Sequence, residues 1–165
     1  MRIAVYPGSF DPVTNGHLNL IERSLRIFDH LIVAVAINPR KQPMFSVEER
    51  LELLRTSIKD TSRVTIDSFE GLLVQYAAKV KADILIRGLR AVSDFEYEFQ
   101  MANMNRHLDR EVETMFMMTG EEAFYISSSF IREVAMFGGS VKGMVPEPVY
   151  QKLLTRFPLK VKEPK

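Results

Sequence analysis

Met1-Arg-Ile-Ala-Val-Tyr-Pro-Gly-Ser-Phe-Asp-Pro-Val-Thr-Asn-Gly-His17 decides how the chain is read. Ile3 to Tyr6 is a short apolar run, as expected of a buried strand. The run breaks at Pro7-Gly8, and His17 stands where a helical pattern begins. A strand, a glycine-containing turn and a helix N-terminus together make an anion site, because free backbone N–H groups and the positive end of the helix dipole converge there. Ser9 and His17 add hydrogen-bond donors. A nucleotide phosphate is the ligand this pattern suggests.

Outward from that stretch, strand and helix signals alternate. Leu18, Ile21, Leu25 and Phe28 keep helical spacing, and Leu31–Ile37 reads as a second buried strand. Asn38–Pro43 is a loop. Ser46-Val-Glu-Glu49 has capping-box spacing and opens a helix to about Lys59. Val64–Asp67 is a strand, Leu72–Val80 a helix and Ile84–Arg87 a strand. Asp94–Leu108 is a long helix and Glu113–Met118 a fifth strand. Helices follow at Phe130–Phe137 and Pro146–Phe157. The fold class expected is α/β: a doubly wound, five-stranded parallel sheet with helices on both faces, because parallel strands need crossovers. One domain spans 1–159, and 160–165 is a basic tail expected to fray. Ligands of such sheets lie beyond the C-terminal strand ends. The unusual polar residues fall there: Ser9–His17, Asn38–Lys41, Arg87–Arg90 and Ser127–Ser129.

The chain has 165 residues, 46% apolar and 26% charged, with a net charge of +1. That suits one soluble domain and gives no reason to expect nucleic acid or an anionic membrane as partner. There is no cysteine, which excludes disulfides and thiol catalysis and fits a reducing compartment. Leu31–Ile37 is too short to span a bilayer. No signal peptide is read before the first strand, so a cytoplasmic location is expected.

Each candidate has a plainer reading beside it. His17 could donate to a phosphate or be incidental beside an ordinary Thr14 or Asn15 cap. Arg87 and Arg90, flanking Gly88-Leu89, could fork onto phosphate oxygens or form surface salt bridges. Lys41 could neutralise a phosphate or be a solvated loop lysine. One of Ser127, Ser128 and Ser129 is a helix cap, and all three could offer donors to a polyphosphate. Met101, Met104, Met115, Met117 and Met118 are expected in the core. Only His17, His30 and His107 exist, at no metal-ligand spacing, so a protein metal site is not expected. The donors lack a protein nucleophile with an activating base, which disfavours covalent catalysis. A phosphate acceptor is already largely ionised near neutral pH, with a second pKa of about 6. It needs alignment and charge stabilisation rather than a base. No Walker-type sequence is present. Nucleotidyl or phosphoryl transfer fits these residues.

Tyr6–His17, Pro43-Met-Phe45, Ile86-Arg-Gly-Leu-Arg-Ala91, Asp94-Phe-Glu-Tyr-Glu98, Asn103-Met-Asn-Arg106 and Ile126-Ser-Ser-Ser129 together resemble the bacterial phosphopantetheine adenylyltransferases, nucleotidyltransferases of coenzyme A biosynthesis. Thr14 takes the first position of the superfamily's His-x-Gly-His pattern. The resemblance implies transfer from ATP to 4′-phosphopantetheine, giving dephospho-coenzyme A and pyrophosphate. Magnesium would be carried with ATP, and coenzyme A would be a feedback ligand. His17, Lys41 and Arg90 would be catalytic. Ser9, Lys41 and Arg87 would hold the acceptor phosphate or transferring group, and Leu73, Asn105 and Glu133 the pantetheine arm. Ser9, Phe10, His17, Gly88, Leu89, Arg90 and Glu98 would bind ATP. So would Ala123, Phe124, Tyr125, Ile126, Ser127, Ser128 and Ser129. A homohexamer, a dimer of trimers, is implied. The chain departs from relatives at Ser9 (often threonine), at Gly71 (often polar) and at Ala123-Phe124, where a tryptophan-containing loop occurs. The rival readings are a nicotinate mononucleotide adenylyltransferase and a non-catalytic nucleotide-binding module.

Overall fold

β-branched and aliphatic runs become the five strands of the computed structural model, which describes residues 2–120 and 126–160. They are β1 (Ile3–Gly8), β2 (His30–Ile37), β3 (Val64–Glu70), β4 (Ile84–Leu89) and β5 (Glu113–Met118). The sheet order is β3-β2-β1-β4-β5, and every pairing is parallel. The helices are α1 (Asn15–Ser24), α2 (Val47–Ser57), α3 (Leu73–Lys79), α4 (Val92–Leu108), α5 (Ser128–Met136) and α6 (Glu147–Arg156).

Period-two alternation assigns the two faces. Ala4, Tyr6, Leu31, Val33, Val35 and Ile86 point into one core, which α1, α2, α5 and α6 cover with residues such as Leu20, Leu54, Ile131 and Leu153. Val5, Ile32, Ala34 and Leu85 point into the other, with Val74 and Ala77 of α3. The doubly wound sheet is thus as expected. None of the helices among the described residues is long and apolar enough to cross a membrane.

β1 runs through Pro7 and Gly8, which pair with Ala34 and Val35, where the sequence suggested a break. Proline fits because its missing donor faces the β4 side, and β1 pairs with β4 only at Ala4–Ile84 and Val5–Leu85. Beyond Val5 that side has no strand partner to lose. α1 ends at Ser24 rather than reaching Phe28. The Ser24 hydroxyl donates to the Leu20 carbonyl at 2.6 Å, and Phe28 reaches the core from the following turn. α4 begins at Val92, two residues early, after Ala91, which makes no side-chain cap bond. Lys160 is tied to the fold by its N–H on the Gly138 carbonyl at 2.9 Å, and 161–165 of the expected tail lie outside the described residues.

The methionine expectation is corrected. Met117 is buried, but Met101, Met104, Met115 and Met118 are exposed, as are Val92, Phe95 and Phe99. The cause is position: β5 is an edge strand, and α4 packs chiefly against β4, β5 and α3.

Gly88 is needed for close packing. A Cβ there would lie 2.4 Å from Cδ1 of the buried Leu20. Gly88→Ala is expected to destabilise the fold by about 1–3 kcal/mol, seen as a lower urea midpoint with unchanged slope. An unchanged midpoint would mean that Leu20 repacks without cost.

Candidate active site

β1 and β4 lead to opposite halves of the sheet, so the crevice beyond their C-terminal ends is the switch point where such folds bind ligands. Arg87, near the end of β4, reaches across it and donates from Nη1 to the Pro7 carbonyl at 2.9 Å.

His17 stands on the β1 side, at the third position of α1. Thr14 is the N-cap, and the two residues form a capping box. The Thr14 backbone N–H donates to His17 Nδ1 at 3.0 Å. A backbone N–H can only donate, so Nδ1 is the acceptor and the neutral ring carries its proton on Nε2. Burial, then the positive charges of Arg90 and Arg87, lower the His17 pKa from 6.5 to about 4. His17 is therefore a neutral donor near pH 7. The Phe10 ring meets it edge-on, with centroids 5.0 Å apart, and meets Tyr6 in the same way at 5.4 Å. Burial also pushes the Tyr6 phenol well above its usual range, so it is not an acid–base group.

Phe10 has φ of 47° and a fully buried ring, so it offers a ligand only its backbone. Ser9 is exposed, and its carbonyl accepts from Nη1 of the buried Arg50 at 3.0 Å.

Arg87 grips Glu98 with two bonds, Nε to Oε2 at 2.7 Å and Nη2 to Oε1 at 2.5 Å. Burial opposes its charge, but the hydrogen bond and charge of Glu98 more than offset that and raise its pKa. Arg90 pairs with Asp94 at 3.1 and 3.4 Å. Both the donor and the ion-pair readings of these arginines therefore meet here. Three of the five N–H groups of Arg87 are used, and two of those of Arg90. The rest remain for a ligand. Glu98 is committed to Arg87. Gly88 and Leu89 complete β4 and are half-buried.

Lys41 is exposed on the β2–α2 loop, and its ammonium has no partner among the described residues. That loop is held by Asp11, whose buried carboxylate accepts the Met44 N–H at 2.8 Å and the Phe45 N–H at 2.9 Å. Arg132 of α5 donates to the Asp11 carbonyl at 2.6 Å and lies 3.4 Å from its carboxylate. All three serines are in use. Ser127 caps α5 through the Phe130 N–H at 3.1 Å. Ser128 donates to the Pro12 carbonyl at 2.8 Å, and Ser129 accepts from Arg132 at 3.2 Å. The Ser128 and Ser129 N–H groups, in the first turn of α5, have no partner among the described residues. Ile126 buries its side chain in the core, leaving its backbone. Ala123, Phe124 and Tyr125 lie outside the described residues.

Of the residues expected on the pantetheine arm, Leu73 opens α3 and packs against the second core. Asn105 lies two turns beyond Glu98, on the same face of α4. The residue is largely buried, and its side chain makes no hydrogen bond among the described residues. Glu133 is exposed one turn beyond Ser129. No group of three His, Cys, Asp or Glu among the described residues could hold a metal.

Sequence reasoning missed Asp11, Arg50 and Arg132. Asp11 in a Phe-Asp-Pro turn looks like any loop aspartate, and its partners lie 33 and 121 residues away. No local spacing reports such contacts.

Residues 5–134 match the cytidylyltransferase-like family. The phosphopantetheine adenylyltransferase of Carboxydothermus hydrogenoformans is 58% identical over 157 residues, covering 95% of this chain and 97% of its own. That of Desulfosudis oleivorans is 56% identical over 153 residues, covering 93% and 91%. A crystal structure from Vibrio parahaemolyticus, provisionally assigned as a nicotinate-nucleotide adenylyltransferase, superposes with a TM-score of 0.71 at 22% identity. It covers 94% of this chain and 93% of its own, and at that identity it bears on the fold alone. With relatives this similar along nearly their whole length, the chain belongs to the phosphopantetheine adenylyltransferase family of cytidylyltransferase-like nucleotidyltransferases.

Proposed function

We propose that the enzyme transfers the adenylyl group of ATP to 4′-phosphopantetheine by direct in-line attack. An acceptor phosphate oxygen bonds to the α-phosphorus, the bond to the β-phosphate oxygen breaks, and pyrophosphate leaves with the electron pair. Dephospho-coenzyme A is the other product. The observation that carries this reading is the neutral His17, with Nε2–H as its one ring donor, in a crevice flanked by Arg87 and Arg90. A donor that keeps its proton suits charge building on a phosphate and makes a poor base. Arg90 and Lys41 complete the catalytic set. Lys41, Ser9 and Arg87 hold the acceptor phosphate. The open N–H groups at the start of α5 take ATP phosphates. Leu73, Asn105 and Glu133 line the acceptor arm. Coenzyme A, which carries the same arm, is the feedback ligand. Magnesium enters on the ATP phosphates, and no protein ligand is assigned to it. Curated relatives at 52–58% identity carry the phosphopantetheine name, which favours this acceptor over nicotinate mononucleotide.

The reading includes a homohexamer, a dimer of trimers. The apolar face of α4 and the open edge of β5 support assembly. Phe95 is 45% exposed, Phe99 52% and Met118 67%, large apolar side chains of the kind that mark interaction surfaces where they cluster.

Pyrophosphate release from ATP is expected with 4′-phosphopantetheine and not with nicotinate mononucleotide; the reverse pattern would overturn the acceptor. His17→Ala should lower kcat about 10²–10³-fold with ATP affinity nearly unchanged, whereas a parallel loss of affinity would make His17 a ground-state binder. A histidine NMR titration of the unliganded enzyme should find His17 neutral from pH 8 down through pH 6, protonating near pH 4. A midpoint near 6.5 would remove the neutral-donor argument. Sedimentation should give the mass of six chains, and Phe95→Glu with Phe99→Glu should give smaller species. A monomeric unmodified protein would exclude the assembly.

A further inference from the structure

Asp11 is where three of the four loops of the crevice meet. It belongs to the β1–α1 loop that carries His17. Its carboxylate binds the Met44 and Phe45 N–H groups at the end of the loop that carries Lys41. Arg132 fastens the same residue to α5, and Ser128 fastens the next, Pro12. Between Asn38 and Pro43, among the described residues, the Lys41 loop has bonds only to itself, from the Lys41 N–H to the Asn38 carbonyl and from the Arg40 N–H to Asn38 Oδ1. Its far end is held from outside by Arg156 of α6, which donates to the Met44 carbonyl and lies 4.7 Å over the Phe45 ring. Among the described residues the Asp11 carboxylate clamps it to the segment that carries His17, and Arg50 of α2 adds a second link just beyond the loop, donating to the Ser46 carbonyl at 3.3 Å and to the Ser9 carbonyl at 3.0 Å.

We propose that Asp11 is a positioning residue for the acceptor phosphate. Its carboxylate fixes the Lys41 loop relative to His17, so that the ammonium and the imidazole donor meet the two reacting phosphates at a set separation. The inference rests on the adenylyl-transfer reading above. Its chemistry depends on the carboxylate. Two backbone N–H groups converge on two acceptor oxygens, one to each, and bonds to a charged acceptor are stronger than neutral ones. Asparagine keeps the shape but turns one acceptor into a donor, which would face a backbone N–H. The cation at the end of the loop would then lose its register without any ligand contact being touched.

The test is a kinetic cycle on the full chain with the unmodified enzyme, Asp11→Asn, Lys41→Ala and the double variant. Pyrophosphate release is measured against ATP and 4′-phosphopantetheine separately, and folding is checked by thermal melting. Asp11→Asn should raise the acceptor KM about tenfold, the loss of one such hydrogen bond, with the ATP KM within about twofold. In the Lys41→Ala background it should have almost no further effect on acceptor kcat/KM, because the group it positions is gone. A purely structural Asp11 would instead raise both KM values together, or multiply its effect onto that of Lys41→Ala, and either result would overturn the proposal. Should the asparagine variant not fold, Asp11→Glu, which keeps the charge and changes the reach, runs through the same cycle with the same criteria. Turnover by the unmodified enzyme without Asp11–Lys41 coupling sinks the proposal alone. No turnover by the unmodified enzyme with this acceptor sinks the reading beneath it as well.

Discussion

The hydrogen bond from the Thr14 N–H to His17 Nδ1 is the constraint on which the crevice depends. A capping box ordinarily sets a glutamate or glutamine opposite the N-cap, as Glu49 does for Ser46 at the start of α2. A glutamate at position 17 would satisfy the same orphan N–H. It would also put a carboxylate where an anionic ligand must come. Histidine accepts with one ring nitrogen and presents a proton on the other. One side chain thus closes the helix end and supplies the donor, and the tautomer is set by backbone geometry rather than by pH.

Charge in the crevice is largely paired rather than simply positive. An unpartnered guanidinium in a partly buried site is costly, and Glu98 and Asp94 relieve that for Arg87 and Arg90 before any ligand arrives. The pairing is incomplete because of geometry: a bidentate contact uses two N–H groups on one edge of a guanidinium and leaves the others open. The residual positive field acts back on His17 and, together with burial, keeps it neutral. The same arginines therefore favour an anion and prevent the imidazole from becoming a second cation competing for it. An anion bound in the crevice acts in the opposite sense and raises the imidazole pKa.

The fold was largely legible because its signals are local. Five apolar runs alternating with amphipathic stretches predict a parallel, doubly wound sheet, and the capping box at Ser46–Glu49 marks α2 correctly. The candidate loops were chosen by the rule that ligands lie beyond strand ends, which led to Ser9–His17, Lys41, Arg87–Arg90 and Ser127–Ser129. What stayed hidden depends on contacts between distant residues. Asp11 finds its partners in two other loops. Glu98, read as a nucleotide contact, also holds Arg87 through two bonds that local spacing did not report. Phe10 and Ile126, read as nucleotide contacts, turn their side chains into the core. The exposed methionines of α4 and β5 were misread because apolar composition cannot tell a core position from one on an edge strand or an open helix face.

Phe10 shows how the fold sustains the strained turn beside His17. A non-glycine residue at φ of 47° costs on the order of 1–3 kcal/mol. Fully burying a phenylalanine ring returns roughly 1.5–3 kcal/mol, and the edge contacts with Tyr6 and His17 add about 0.5–1.5 kcal/mol each where they are well formed. Burial therefore matches or exceeds the strain. The left-handed turn is what allows the ring to point inward while Ser9, one residue earlier, stays at the surface with its hydroxyl accessible. Glycine at position 10 would remove the strain but also the ring that backs the imidazole, leaving His17 its cap and the more distant Tyr6 ring, 6.4 Å away. The core thus stabilises a backbone conformation that the local sequence would not adopt, and through it the orientation of the donor.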